Sequence, residues 1–446
     1  MEEIVKEKDE YKFSRFMYIL EAAFEYFIAL LVSGKFLAKL TNNIGLSDGV
    51  TGVLSAFASL GCGFQIFSIF LSGKKRVKRW VSVLHSINQL FFALLYVVPV
   101  VPVSKTVKTV AFVAFLLIAH VINNIVNSPK INWFMSLVED KKRGAFTANK
   151  EIVSLIGGAT FSFLMGSVID YFESIDNING AFVFSAITVF VLAILHTATL
   201  LFSKEKETES KEKTPLKPLL KELVRDKNLF KIILVSVFWN VAHYVATPFF
   251  GSYQEKELAF SDSFYALIIA IGSFARAVFS RPLGKYADKY SFRKMLNVCF
   301  WVEVVAFFVG AFITPSNGKV MDTLYYVLYL IGMAGINSGA INLIYDYVET
   351  DKRMAAFALK NAFAGFAGFF TTLAVSPLIG YIQGKGNRFL GLNVYAQQIT
   401  SSFACVLVIL LIVYLNTVVK KIRRPQEINS VDFESDTVSE SSESGS

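Results

Sequence analysis

Cysteine is scarce in this chain: Cys62, Cys299 and Cys405 are the three in 446 residues, each in a separate apolar stretch. An odd, widely spaced trio supports neither a disulfide framework nor a zinc site and reads as small apolar filling in helices. Charge is scarce as well. Asp, Glu, Lys and Arg make up 18% of the residues, against about 25% in an ordinary soluble protein. No G-x-x-x-x-G-K-S/T loop occurs, so direct ATP hydrolysis is not expected. No His/Cys/carboxylate spacing suits a metal, and no cofactor is expected. The first dozen residues alternate in charge, and the apolar run after them lacks a signal-peptide cleavage site.

What the chain has in abundance is apolar surface, 54% of its residues, including 43 Phe. A crossing of the bilayer core takes about 20 apolar helical residues. Twelve crossings would absorb nearly all of this apolar content, and a soluble enzyme is excluded. Apolar runs predict spans near 14–38, 49–72, 79–102, 109–136, 145–171, 180–203, 229–252, 262–283, 294–314, 322–347, 355–382 and 400–420. With the N-terminus inside, the inner segments hold 34 Lys and Arg and the outer segments 8, with Lys130 and Arg276 inside spans. That bias places both termini in the cytoplasm. The net charge of +9 therefore reports orientation and contact with anionic inner-leaflet lipid, not a nucleic-acid partner.

The predicted organisation is a six-helix bundle (1–203), a linker (204–228), a second bundle (229–424) and a disordered acidic, Ser-rich tail (425–446). In the linker, Leu216, Leu219, Leu220, Leu223 and Val224 repeat at helical spacing among lysines, as in a surface-lying amphipathic helix.

An internal repeat is the most specific feature. At an offset of 210 residues, Asn127-Ser128 recurs as Asn337-Ser338, Ile131-Asn132 as Ile341-Asn342, and Lys142-Arg143 as Lys352-Arg353. Lys150, Gly158 and Tyr171 match Lys360, Gly368 and Tyr381 without a gap. An even number of spans separates the copies, so both have the same orientation. Between spans eight and nine the chain reads Gly284-Lys-Tyr-Ala-Asp288-Lys289-Tyr-Ser-Phe-Arg293-Lys294.

With parallel six-helix repeats and a central loop, this segment resembles the signature of major facilitator transporters. The resemblance implies an all-α membrane fold of twelve helices in two parallel repeats. It also implies a gating latch, with Gly284, Asp288, Arg293 and Lys294 holding the inner side closed and Asp288 releasing during rocking. The equivalent first-half loop, from Gly73 to Arg79, lacks the aspartate, so a symmetric double latch is doubtful. Span five has no proline, unlike the family's drug–proton antiporters, which weakens an exporter reading.

Ionisable residues inside spans are functional candidates by default. Glu21 and Glu25 share one face of span one, about 9 and 15 Å into the helix from Arg15, and Lys130 lies about 14 Å from Glu139 on span four. The depths agree, and a Glu21/Glu25–Lys130 pair is expected to bind substrate charge or carry a proton, or else to brace two helices. Arg276 and Glu303 form a second candidate pair, read as bracing. Asn127 and Asn132 on span four, and Asn337 and Asn342 on span ten, either bond neighbouring helices or line a midplane site. Trp239, Asn240 and His243 on span seven add aromatic and polar lining. His85, His120 and His196 are read as interhelical bonding groups.

The leading expectation is a monomeric secondary transporter in a bacterial inner or plasma membrane. It moves a small polar solute by alternating access, with proton coupling and symport as one option. Drug or metabolite export, and a non-transporting sensor or lipid-handling protein, stay open.

Overall fold

The computed structural model describes residues 10–68, 76–139, 142–206, 216–349 and 352–422. The acidic tail and part of the first half's counterpart loop lie outside them. Among the described residues the chain is helical apart from one two-stranded ribbon, Arg388–Phe389 paired with Leu392–Asn393.

The first half holds α1 (Lys12–Leu31), α2 (Gly34–Ile44), α3 (Asp48–Ser55), α4 (Phe57–Gly63), α5 (Lys78–Val97), α6 (Lys105–Met135), α7 (Arg143–Ser174) and α8 (Ile178–Phe202). A short linker helix, α9 (Leu216–Arg225), follows. The second half holds α10 (Lys227–Ser252), α11 (Asp262–Lys289), α12 (Phe292–Gly310), α13 (Gly318–Tyr345), α14 (Arg353–Gly384) and α15 (Ala396–Thr417).

Among the described residues ten helices are long and apolar enough to cross a membrane, and α1 with α2, bent by 45°, makes an eleventh when the pair is taken as one span. The segment predicted near 294–314 is the helix α12, which carries Arg293, Lys294 and Glu303. Span one breaks where Gly34 takes φ +54°, a left-handed conformation that favours glycine. Span two is not one rod but α3, α4 and a short 3₁₀ turn. Helix starts are fixed locally: Ser104, Asp226, Ser261 and Ser291 each accept a hydrogen bond from a first-turn backbone N–H.

The sequence repeat is also a structural one. Helices α7 and α14 have 32 residues each and begin 210 apart, and α6 and α13 end at Met135 and Tyr345, the same offset. The repeated arginine does the same work twice. Arg143 Nε donates to Met135 O at 3.2 Å, and Arg353 Nη2 donates to Tyr345 O at 3.1 Å, each satisfying a free carbonyl at the preceding helix end.

Each half has its own buried core, built around Phe36, Tyr96, Phe112 and Phe182 in the first and Phe250, Phe300, Phe307 and Tyr325 in the second. Phe184, Ile187, Phe190 and Ile194 on α8, and Phe403, Val406 and Leu410 on α15, remain exposed. Such apolar outer surfaces suit hydrocarbon rather than water. Arg15 donates to Leu137 O and Tyr414 to Lys231 O, so helix ends near both chain termini are tied to helix ends within their own halves. This end of the bundle is called the terminus end below.

Two expectations are corrected here. Gly284 to Lys289 are the last turns of α11, not a loop: the helix continues through Pro282 and Gly284 and ends at Lys289, before Tyr290 and Ser291. Lys35 and Lys39, counted as outer-segment cations, lie buried on α2.

Candidate functional site

Pro129 lies inside α6 and cannot donate to the preceding turn, so the helix is locally freed just before Lys130. The Lys130 ammonium is buried and donates to Glu21 Oε1 at 2.8 Å and to Glu25 Oε2 on the same face of α1. Two imidazoles complete the cluster. His85 Nε2 on α5 is 2.8 Å from Lys130 Nζ, and His196 Nε2 on α8 is 3.0 Å from Glu21 Oε1. Four helices of one half thus meet at one ionic knot. Burying such charges is costly, and direct pairing with bonded neighbours is what offsets it.

Glu21 is fully buried, whereas the Glu25 side chain keeps 23% of its surface exposed. Glu25 faces a cavity of about 330 Å³ between the halves. Its first-half wall includes Ser33, Ser55, Gln89, Phe92, His120 and Asn123, and its second-half wall is His243, Tyr244, Thr247 and Pro248 of α10. That volume lies in the range of small-molecule sites.

Away from the termini the two halves are joined by ion pairs. Lys35 reaches Asp262 at 2.5 Å and Glu255 at 2.7 Å, and Lys39 reaches Asp262 and, within its own half, Glu173, both at 2.5 Å. Lys256 pairs with Asp48 at 2.6 Å, and Gln383 donates to the other Asp48 oxygen at 2.6 Å. Asp170 of α7 accepts from the backbone N–H of Asp262 and Ser263, at 2.7 and 2.9 Å, at the N-terminus of α11. Closer to the terminus end, Asn361 donates to Gln65 at 2.5 Å, and Arg276 pairs with Glu151 at 3.3 Å.

Of the residues singled out in the sequence, Glu21, Glu25 and Lys130 come together, and Glu25 and His243 share the cavity wall. Trp239 is buried, its ring 5.5 Å from His243 and 5.6 Å from Phe300, and Asn240 lies half-buried on the same helix. Asn127 is half-buried, Asn132 and Asn337 are exposed, and Asn342 donates to Ser338 O; none of these four lines the enclosed cavity. Asp288 is exposed, Gly284 is in open space, Arg293 donates to Asn416 at 3.2 Å, and Lys294 lies over the Tyr290 ring.

The Arg276–Glu303 pair does not form. Arg276 faces α7 of the other half, while Glu303 is buried against Gly332 with neither oxygen bonded. His85 and His196, read as interhelical bonding groups, make those contacts within the ionic knot, to Lys130 and Glu21. The residues missed altogether are the sealing charges Lys35, Lys39, Asp48, Glu173, Glu255 and Asp262. The i, i+4 spacing of Lys35 and Lys39 was the one signal that these cations share a helical face.

Comparison with known proteins follows the same lines. The family model described as Major Facilitator Superfamily matches residues 16–372 and 244–439. A curated relative from Methanocaldococcus jannaschii, described as the uncharacterized MFS-type transporter MJ1317, is 26% identical over 198 residues, 43% of this chain. The match spans about half the length of that relative, 47%. Among solved structures, the nucleoside transporter NupG superposes with a TM-score of 0.67 at 12% identity, covering 92% of this chain and 100% of the other. A D-xylose-proton symporter gives 0.64 at 14% identity, covering 90% and 97%. A bacterial homologue of the human lysosomal transporter Spinster, inward-facing and unoccupied, gives 0.61 at 15% identity, covering 93% and 98%.

Proposed function

The chain belongs to the major facilitator superfamily, and from that premise we propose that it is a secondary transporter moving a small polar solute by alternating access. The observation that carries this reading is the cavity between the halves, sealed toward one end by ion pairs that join one half to the other. Two six-helix halves can rock about such a site and open it to each side in turn. Ion pairs suit a reversible seal, because separated charges regain hydration and so recover much of what pairing supplied.

The bias of Lys and Arg assigns the terminus end to the cytoplasm. On that assignment this conformation is closed to the outside. One chain holds both cavity walls, which favours a monomer, and the basic inner face favours anionic lipid. A bacterial inner or plasma membrane is the proposed location.

Proton coupling is assigned to the knot of Glu21, Glu25, Lys130, His85 and His196. Glu25 takes up a proton when Lys130 withdraws from it, since an unpaired carboxylate is costly away from water. The solved relatives named for nucleoside and xylose–proton transport share only the fold with this chain, yet both handle polar solutes and one is named for a proton.

The test is flux into proteoliposomes of a pooled metabolite library, with and without an inward proton gradient. Gradient-sensitive flux of at least one pool is the expected result. No flux of any pool, in either orientation, would return the protein to the non-transporting reading.

A further inference from the structure

The knot beside the cavity has more negative than positive charge in bonding contact. Glu21 and Glu25 share one ammonium, that of Lys130. His85 Nε2 lies 2.8 Å from that ammonium and therefore accepts from it, which leaves no N–H on this atom. His196 Nε2 donates to Glu21, and its Nδ1 is buried with no partner, so a second N–H there would be left unbonded. Lys150, the next cation on α7, is held 3.5 Å from the Tyr18 hydroxyl and over the Tyr18 ring, and makes no ion pair with either glutamate. The unmatched charge belongs to the more exposed carboxylate, Glu25, on the cavity wall.

The rest of the wall agrees. It carries no lysine or arginine. Gln89 Oε1 and Asn123 Oδ1 are buried acceptors without donors. The orientation of Gln89 is fixed by a chain: Asn88 Nδ2 donates to Ala119 O at 2.7 Å, and Gln89 Nε2 donates to Asn88 Oδ1 at 2.8 Å. The 2.8 Å contact to Asn88 outweighs the 3.5 Å approach of Gln89 Nε2 to His85 Nδ1, so the free atom of Gln89 is its oxygen. Both acceptors call for donors, which an ammonium group supplies.

Building on the transport reading, we propose that the solute carries one organic ammonium group. Its N–H donors are taken up by the Glu25 carboxylate, with Gln89 and Asn123 beside it, so that it substitutes for Lys130 on Glu25. A bare ion would leave most of the cavity unfilled, since about 330 Å³ equals roughly eleven waters. The rings of Phe92 and Tyr244 in the wall supply the apolar and cation–π surface that an organic amine uses. Anionic solutes are rejected by the same carboxylate.

The experiment measures thermal stabilisation of the full chain in detergent by matched triplets sharing one skeleton. Tyramine, tyrosol and 4-hydroxyphenylacetate form one such triplet, with aliphatic triplets beside it and Mn²⁺ as a separate arm. Stabilisation confined to amines, and weakened about tenfold or more in apparent affinity by Glu25→Gln, is expected. An alcohol or carboxylate that stabilises as well as its amine overturns the proposal, as does stabilisation by Mn²⁺ alone or by no amine at all. The wild-type series decides even where the variant does not fold. Amine binding without flux would leave this assignment standing while removing the transport reading.

Discussion

Lys130 and Glu21 are 109 positions apart in sequence, yet their charged groups meet at 2.8 Å, with the side chains nearly or fully removed from solvent. Neither would be tolerable there alone, which makes the pair a sensitive point of both stability and function.

Removing one partner exposes that dependence. Lys130→Met should destabilise the protein by about 3–5 kcal/mol, because Glu21 is left buried and unpaired. Adding Glu21→Gln should recover much of the loss. Thermal unfolding of the single and double variants in detergent measures both effects, and no recovery in the double variant would argue against the pairing as the cause.

The seal should respond to the loss of one cation. Lys39→Ala removes the contacts to Asp262 and Glu173 and should open the cavity from the end away from the termini. In a background lacking Cys62, Cys299 and Cys405, Thr247→Cys on the cavity wall reports this by reaction with an impermeant maleimide. Severalfold faster labelling from that side is expected, whereas an unchanged rate would mean that the ion pairs do not hold the seal.

The same labelling outcome is expected at Gly251, for a steric reason. A Cβ there would collide with the Gly34 backbone, where α10 and α2 of the two halves touch. Gly251→Val should block closure, giving fast labelling at Thr247→Cys together with arrested flux. Full transport by this variant would show that the close backbone approach is dispensable.

Asp170 binds the N-terminus of α11 across the interface between halves. Asp170→Asn keeps the shape but loses the charge, and should weaken the closed state by about 0.5–2 kcal/mol. The measurable consequence is a shift of the labelling ratio between the two sides toward the open form.

The linker contact at the terminus end should be sensitive to salt rather than to pH. Hydrogen bonds from Lys352 to Glu222 of α9 and to Glu349 raise its pKa above the ordinary lysine value. A raised pKa means that any stabilisation is fully present below the unfolded value and fades only as pH climbs past it, well above about pH 9. Being largely exposed, the contact is worth no more than about 1 kcal/mol and is screened by salt. Hydrogen exchange of α9 should therefore rise with ionic strength and, after correction for intrinsic exchange, stay level between about pH 6 and 9.

Much was legible in the chain itself. Span positions follow from apolar runs of fixed length, and the 210-residue repeat marks helices α6, α7, α13 and α14 because equivalent helices need equivalent caps. The Glu21, Glu25 and Lys130 trio was visible because charge within a span is rare enough to stand out. Lys35 and Lys39 were hidden: their spacing from a span end made them look solvated, and nothing local shows that α2 leans against α10 and α11. Arg276 and Glu303 misled for the converse reason, since similar depth on consecutive spans does not fix which face each side chain occupies.

The scarcity of charge and the length of the apolar runs determined by themselves that this is a helical membrane protein with two related halves, because hydrocarbon leaves the backbone few other ways to satisfy its polar groups. Which charges meet was decided by the tertiary structure alone. A pair such as Lys35 with Asp262, 227 positions apart, depends on how two bundles are set against each other, and that arrangement follows from packing across the whole interface rather than from any local run of residues.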